Sequence, residues 1–179
     1  GEIPNKLKLI NCVGGGSSAY GFWSEFFDYN KKHVEMIGVE AGGPKNSKLH
    51  AAPLSKNSKV AILHGAAAYC IQDSDGQINE TESCSSGLDY PSCSPIHCLL
   101  KDVGRARYTF ATDEEAFSAY KLVTDLEEIS PSLEPSHSFA EAIKIAPKLD
   151  DTNIIVVNSC GDSLKDKDII KKRLGNYSR

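Results

Sequence analysis

No stretch of this chain approaches the roughly 20 apolar residues that span a bilayer, and its start lacks the basic-then-apolar layout of a secretory signal. These two absences point to a soluble, cytoplasmic protein. A basic tract is missing as well: Lys and Arg number 20 against 24 Asp and Glu, for a formal net charge of -4. Nucleic-acid binding calls for a concentrated cationic face, so the charge argues against a polyanionic partner. The pairs Lys31-Lys32 and Lys171-Lys172 read as solvated faces. The six cysteines form no C-x-x-C pair and no zinc-like spacing with the five histidines. Without a secretory signal, this predicts free thiols in a reducing compartment. Internal repeats and low-complexity tracts are absent too. Gly1 reads as a residue left by tag removal.

What is present fits one ordinary globular domain: 179 residues, 40% hydrophobic and 25% charged. Residues 7–13, 34–39, 58–63, 106–111 and 153–159 read as short buried strands flanked by turn residues. Helical patterns fill the gaps. Thr112 followed by Glu115 spells a capping box, with Ala116, Phe117, Tyr120, Val123 and Leu126 along one face. A second helix is predicted from about Ser136 and a third over 166–174. Alternating strands and helices predict a single three-layer α/β domain over 1–179, a mostly parallel sheet with helices on both faces. The stretch from Gly42 to about Tyr108, rich in turn chemistry, reads as loops over the sheet.

The first strand runs straight into Gly14-Gly15-Gly16-Ser17-Ser18-Ala19. Successive glycines let the backbone approach a ligand closely, and a following helix points free N–H groups at it, which makes an anion site. Two ligands suit that pattern. Gly14, Gly16 and Ala19 satisfy the dinucleotide fingerprint G-x-G-x-x-A, with Glu40 about twenty residues on as a ribose-binding acid, the layout of an NAD-dependent oxidoreductase. A single phosphate is the other candidate. A packing turn alone needs fewer glycines.

Further segments carry a resemblance. Cys-Val-Gly-Gly-Gly-Ser-Ser-Ala is followed by Ile37-Gly38-Val39-Glu40-Ala41, Leu63-His64-Gly65, Gln72-Asp73-Ser74-Asp75-Gly76-Gln77-Ile78, Ser86-Gly87-Leu88-Asp89-Tyr90-Pro91, Leu133-Glu134-Pro135-Ser136-His137 and Val156-Val157-Asn158. In that order they resemble the carboxyl-terminal part of tryptophan synthase beta chains, across essentially the whole sequence. The resemblance implies an enzyme that uses pyridoxal phosphate to join L-serine and indole, as a homodimer of beta chains contacting an alpha subunit.

It also implies roles for particular residues. Gly14, Gly15, Gly16, Ser17 and Ser18 would cradle the cofactor phosphate; Ser18 stands where the family usually has Asn, and its hydroxyl still donates. Glu134 would lie near the cofactor ring, with Pro135 replacing a small polar residue. Cys160 would meet the pyridine nitrogen, with Ser159 as rival because the segment after Asn158 is longer than the family's. A neutral partner there suits β-replacement better than transamination. Asp89 would sit on a mobile loop that closes the site against water. Main-chain carbonyls of Gly14, Tyr90 and Ser92 would hold a monovalent cation, Na or K. Thr81-Glu82-Ser83-Cys84-Ser85-Ser86, Cys93 and Ser94 depart from the family pattern and bear on loop closure and cation affinity.

The family's His-Lys-x-Asn motif, which carries the Schiff-base lysine, does not occur in these residues. Covalent capture of the cofactor is what turns a phosphate pocket into a catalyst, so this chain by itself is expected to be inactive. A non-catalytic partner-binding module is a third reading.

Overall fold

The computed structural model describes residues 6–175; Gly1 lies outside them. Four strands, β1 (Lys6–Cys12), β2 (Val34–Ala41), β5 (Ala106–Ala111) and β6 (Asn153–Val157), form one sheet in the order β5-β2-β1-β6, with every neighbouring pair parallel. Apart from this sheet, β3 (Lys59–Leu63) and β4 (Ala66–Cys70) pair antiparallel. The helices are α1 (Ser17–Trp23), α2 (Pro95–Asp102), α3 (Asp113–Glu127), α4 (Leu133–Ile145) and α5 (Lys167–Leu174).

Side-chain alternation along the strands divides the core in two. Leu7, Leu9, Val34 and Met36 point to one face, where Ala19 and Trp23 of α1 and Leu100 of α2 cover them. Ile10, Ile37 and Val39 point to the other, under Ala119 of α3 and Ala140 of α4. The expected three layers are therefore present. Burial on both faces explains why β1 and β2 read as nearly continuous apolar runs.

The parallel arrangement puts the carboxyl ends of all four strands on one edge. The chain leaves β1 for β2 on one side and returns later to β6 on the other, so the ends of β1 and β6 flank the topological switch point, where open α/β sheets bind ligands. The turn at 14–16 and the segment 158–161 both emerge there.

Three expectations need correction. The run 58–63 is no member of the main sheet: it joins β4 through His64-Gly65, whose positive φ values of 51 and 80 make the tight turn that hairpins favour. The stretch 42–108 is not loops alone, since it also holds α2, opened by Ser94, whose side chain accepts from the Ile96 amide, with Pro95 at the first helical position. Helix α4 begins at Leu133 and not near Ser136. Pro135 is tolerated in its first turn because the amide it lacks would have no partner inside the helix anyway. The capping box of α3 is formed as read, with Thr112 and Glu115 bonded reciprocally.

Candidate functional site

The glycine turn is held from behind. Ser94 donates its amide to the Gly15 carbonyl at 3.0 Å, and the Gly16 carbonyl accepts from the Tyr20 amide at 2.9 Å. His97 Nε2 lies 2.8 Å from that same Gly16 carbonyl, while Nδ1 lies 2.8 Å from the Tyr108 hydroxyl. A carbonyl only accepts, so Nε2 carries the proton and Nδ1 accepts from Tyr108. Burial lowers the His97 pKa and so favours that neutral ring.

In a trans peptide the carbonyl and the following N–H point in opposite directions. With the carbonyls of Gly15 and Gly16 pinned inward, the amides of Gly16 and Ser17 face away from those anchors. Among the described residues, the amides of Gly14, Gly15 and Gly16 donate to no main-chain carbonyl. Gly16 has φ +100, and a Cβ there would run into the His97 ring; a Cβ on Gly14 would meet the Gly87 carbonyl and lie 3.1 Å from Leu88 Cα. A Cβ on Gly15 would meet nothing within 4 Å. Outward amides, an open side at Gly15 and the start of α1 make a cradle that a phosphate-sized anion fits. Beside it opens a concavity of about 550 Å³ lined by Gly15, Gly16, Ser17, Tyr20, Ser94 and Ile96.

Across the switch point, the Ser18 hydroxyl accepts from the side-chain amides of Asn11 and Asn158, each at 3.3 Å. Cys160 Sγ lies 3.7 Å from Cys12 Sγ. The Cys12 thiol, buried, is pushed well up by its bond to Cys160 and by desolvation, whereas that bond and the Ser18 hydroxyl hold the half-buried Cys160 thiol below its usual range. Ser159, the rival, is exposed. All six cysteines are free thiols.

Glu134, in the first turn of α4, receives the Gly87 amide at 2.9 Å and the Lys165 ammonium at 2.6 and 2.7 Å. Desolvation alone would raise its pKa, but Lys165 and its own backbone outweigh burial and hold it down at about 2. A Cβ on Gly161 would come within 3.9 Å of Glu134 Oε2, so the carboxylate borders the Cys160 segment.

Thus Gly14 to Ser18, Glu134 and Cys160 are gathered at one end of the sheet. Asp89 is exposed, its amide bonded to the Ser85 carbonyl. Tyr90 and Ser92 lie on the segment that packs against the glycine turn; the Tyr90 hydroxyl meets His64 Nδ1 at 2.8 Å, and the Ser92 hydroxyl donates to the Tyr69 carbonyl. No role for His97 or Lys165 was read in the sequence, which marked Ser94 as a departure from the family pattern and not as an anchor of the glycine turn. The Ser94-Pro95 pair was the available signal for His97 and Ser94, while nothing local marks Lys165.

Glu40 contradicts the dinucleotide reading. It is 1% exposed and turned inward, accepting from the amides of Leu54 and Ser55 and from the Ser55 hydroxyl. Burial pushes its carboxyl up to about 7. A carboxylate so enclosed has no face left for a ribose.

Among the described residues no helix is long and apolar enough to cross a membrane. No protein-family model matches the chain. It is 45% identical over 175 residues to the tryptophan synthase beta chain of Rhodopseudomonas palustris strain BisA53, covering 98% of this chain and 42% of that protein. It is 48% identical over 159 residues to that of Chromobacterium violaceum, covering 88% and 39%. Among solved structures it superposes on a fungal L-serine ammonia-lyase from Rhizomucor miehei with a TM-score of 0.60 at 16% identity, over 96% of this chain and 50% of that one, a likeness of fold. The chain, which spans about two fifths of the length of these curated relatives, is similar to tryptophan synthase beta chains over nearly the whole of its own length.

Proposed function

We infer that this chain is the cofactor-phosphate-binding, carboxyl-terminal part of a pyridoxal-phosphate enzyme that makes L-tryptophan from L-serine and indole. The observation that carries the reading is the pinned glycine turn: Ser94 and His97 hold the carbonyls of Gly15 and Gly16 so that amides are presented to an anion. Pyridoxal phosphate, when bound, supplies the electron sink that lets the serine β-hydroxyl leave. Gly14, Gly15, Gly16, Ser17 and Ser18 would hold its phosphate, and Cys160 would face its ring nitrogen.

Glu134 keeps a fixed negative charge beside that ring position, because Lys165 and Gly87 hold the carboxylate in place. Asp89, exposed on the segment that Gly87 ties to Glu134, would close over the bound amino acid and exclude water. The carbonyls of Gly14, Tyr90 and Ser92 suit a monovalent cation such as Na or K. The Schiff-base lysine would come from a preceding part of the whole protein, which would act in the cytoplasm as a homodimer with an alpha subunit as partner. The 179 residues alone would bind cofactor and not turn over substrate.

Titration of the chain with pyridoxal phosphate, read by absorbance and calorimetry with NAD in parallel, tests this. The expected result is saturable binding that inorganic phosphate competes away, with no covalent lysine adduct after borohydride reduction. Binding of NAD alone, or no phosphate-competable binding, would overturn it.

A further inference from the structure

Away from the glycine turn, three side chains from three elements converge. Cys84 precedes the Ser85–Leu88 turn, Asp113 opens α3, and His137 sits in the first turns of α4; one ligand-type atom of each lies within 4.8 Å of the others. The geometry is held from outside the cluster. The Cys84 amide donates to Asp113 Oδ2 at 3.1 Å, and His137 Nδ1 lies 2.7 Å from the Leu133 carbonyl. That carbonyl can only accept, so Nδ1 carries the ring proton and the neutral ring keeps its lone pair on Nε2.

Two acceptors are then stranded. His137 is 0% exposed and its Nε2 has no partner; Asp113 is 8% exposed and its Oδ1 has none either. A nitrogen and an oxygen lone pair are thus left buried in the cluster that the Cys84 thiol completes. Buried acceptors are rarely left so, and a bound cation would satisfy both at once. A ligating imidazole that donates its other N–H to a main-chain carbonyl is also the arrangement found behind metal-bound histidines.

We propose that Cys84, Asp113 and His137 form a site for a divalent transition-metal ion, zinc by ligand type, that clamps the 83–88 segment to α3 and α4. Thiolate, imidazole and carboxylate suit zinc and not a hard cation such as magnesium. Tetrahedral coordination sets ligand atoms about 3.5 Å apart, so loading shortens the separations within the cluster by about 1.3 Å at most. Binding forms Zn–S, Zn–N and Zn–O bonds and releases the Cys84 thiol proton to solvent; no electron moves. An entry path exists: a surface cavity of about 380 Å³ lined by Pro44, Glu82, Ser83, Cys84, Asp113 and Glu114 opens onto the cluster. Water fills the fourth position. The clamp is distinct from the cofactor cradle, and Gly87, whose amide reaches Glu134, extends it toward that side of the domain.

The whole chain, stripped of metal by dialysis against chelator, is titrated with Co2+ under reducing, anaerobic conditions. One equivalent is expected, with a thiolate-to-cobalt charge-transfer band and tetrahedral d–d absorption. Cys84→Ala, checked for folding by circular dichroism, should lose that band. Affinity should fall by more than the roughly 10–100-fold that loss of an outer-shell partner costs. Cys84→Ser, nearly isosteric, gives the same test if the alanine variant fails to fold. In the unaltered chain, zinc should slow alkylation of Cys84, mapped by mass spectrometry, by about tenfold or more. An undiminished thiolate band in a folded variant, no binding by the unaltered chain, or unchanged Cys84 alkylation would each overturn the site.

Discussion

His97 Nε2 donates to the Gly16 carbonyl across 2.8 Å, joining a buried side chain of α2 to the one glycine of the turn whose φ is +100. The bond orients the peptide that presents the Ser17 amide, so a core side chain sets the direction of a binding group.

Replacing His97 by Phe keeps the ring volume and removes both of its hydrogen bonds, leaving the Tyr108 hydroxyl and the Gly16 carbonyl without that partner. Unsatisfied buried groups cost about 1–3 kcal/mol each, so the variant should lose about 3 kcal/mol in urea denaturation. Phosphate affinity should fall with it. Unchanged stability would mean that the turn holds its shape without the imidazole.

Gly15 and Gly16, adjacent in sequence, should respond differently to alanine. At Gly16 the new Cβ meets the His97 ring in a left-handed conformation, so Gly16→Ala should destabilise the fold by about 1–3 kcal/mol. Gly15→Ala meets nothing within 4 Å and should melt like the parent chain, yet weaken binding of inorganic phosphate by crowding the open side. Equal melting temperatures for the two variants would contradict this.

Two carboxyls give the stability curve opposite slopes. Glu134, held down to about 2 in the folded chain, contributes stability that is present above its ordinary value near 4.5 and lost as pH falls toward 2. Glu134→Gln should flatten that acid limb. Glu40, pushed up to about 7, binds its proton more tightly folded than unfolded, so stability falls as pH rises from about 4.5 to 7. Glu40→Gln should remove that decline in a pH series of denaturant midpoints.

Cys160 should be the first thiol to react with iodoacetamide near neutral pH, because Cys12 and Ser18 favour its thiolate and it is half-buried, while Cys12, Cys70 and Cys93 are buried. Removing the donor in Cys12→Ala should slow Cys160 alkylation severalfold. Peptide mapping that finds another cysteine labelled first would refute the assignment.

Features legible in the sequence were those made by neighbours along it. The capping box at Thr112 and Glu115 spans one helical turn, so its residue types identify it without any partner from elsewhere. The buried runs of β1 and β2 and the glycine turn were readable for the same reason. The hairpin of β3 and β4 was not, since a short apolar run does not say which strand it pairs with. Helix α2 was masked because Ser94-Pro95, which starts it, is also turn chemistry.

The sequence by itself determined the alternation of strands and helices, the parallel sheet, the glycine turn after the first strand and the likeness to one enzyme family. Tertiary structure alone decided what each side chain meets: His97 behind Gly16, Lys165 on Glu134, Cys12 beside Cys160, Glu40 enclosed by Ser55, and Cys84, Asp113 and His137 in one cluster. The division has a physical cause. Backbone conformation and amphipathic period are local properties, whereas a buried polar group's partner depends on which distant segments the packed core brings into hydrogen-bonding range.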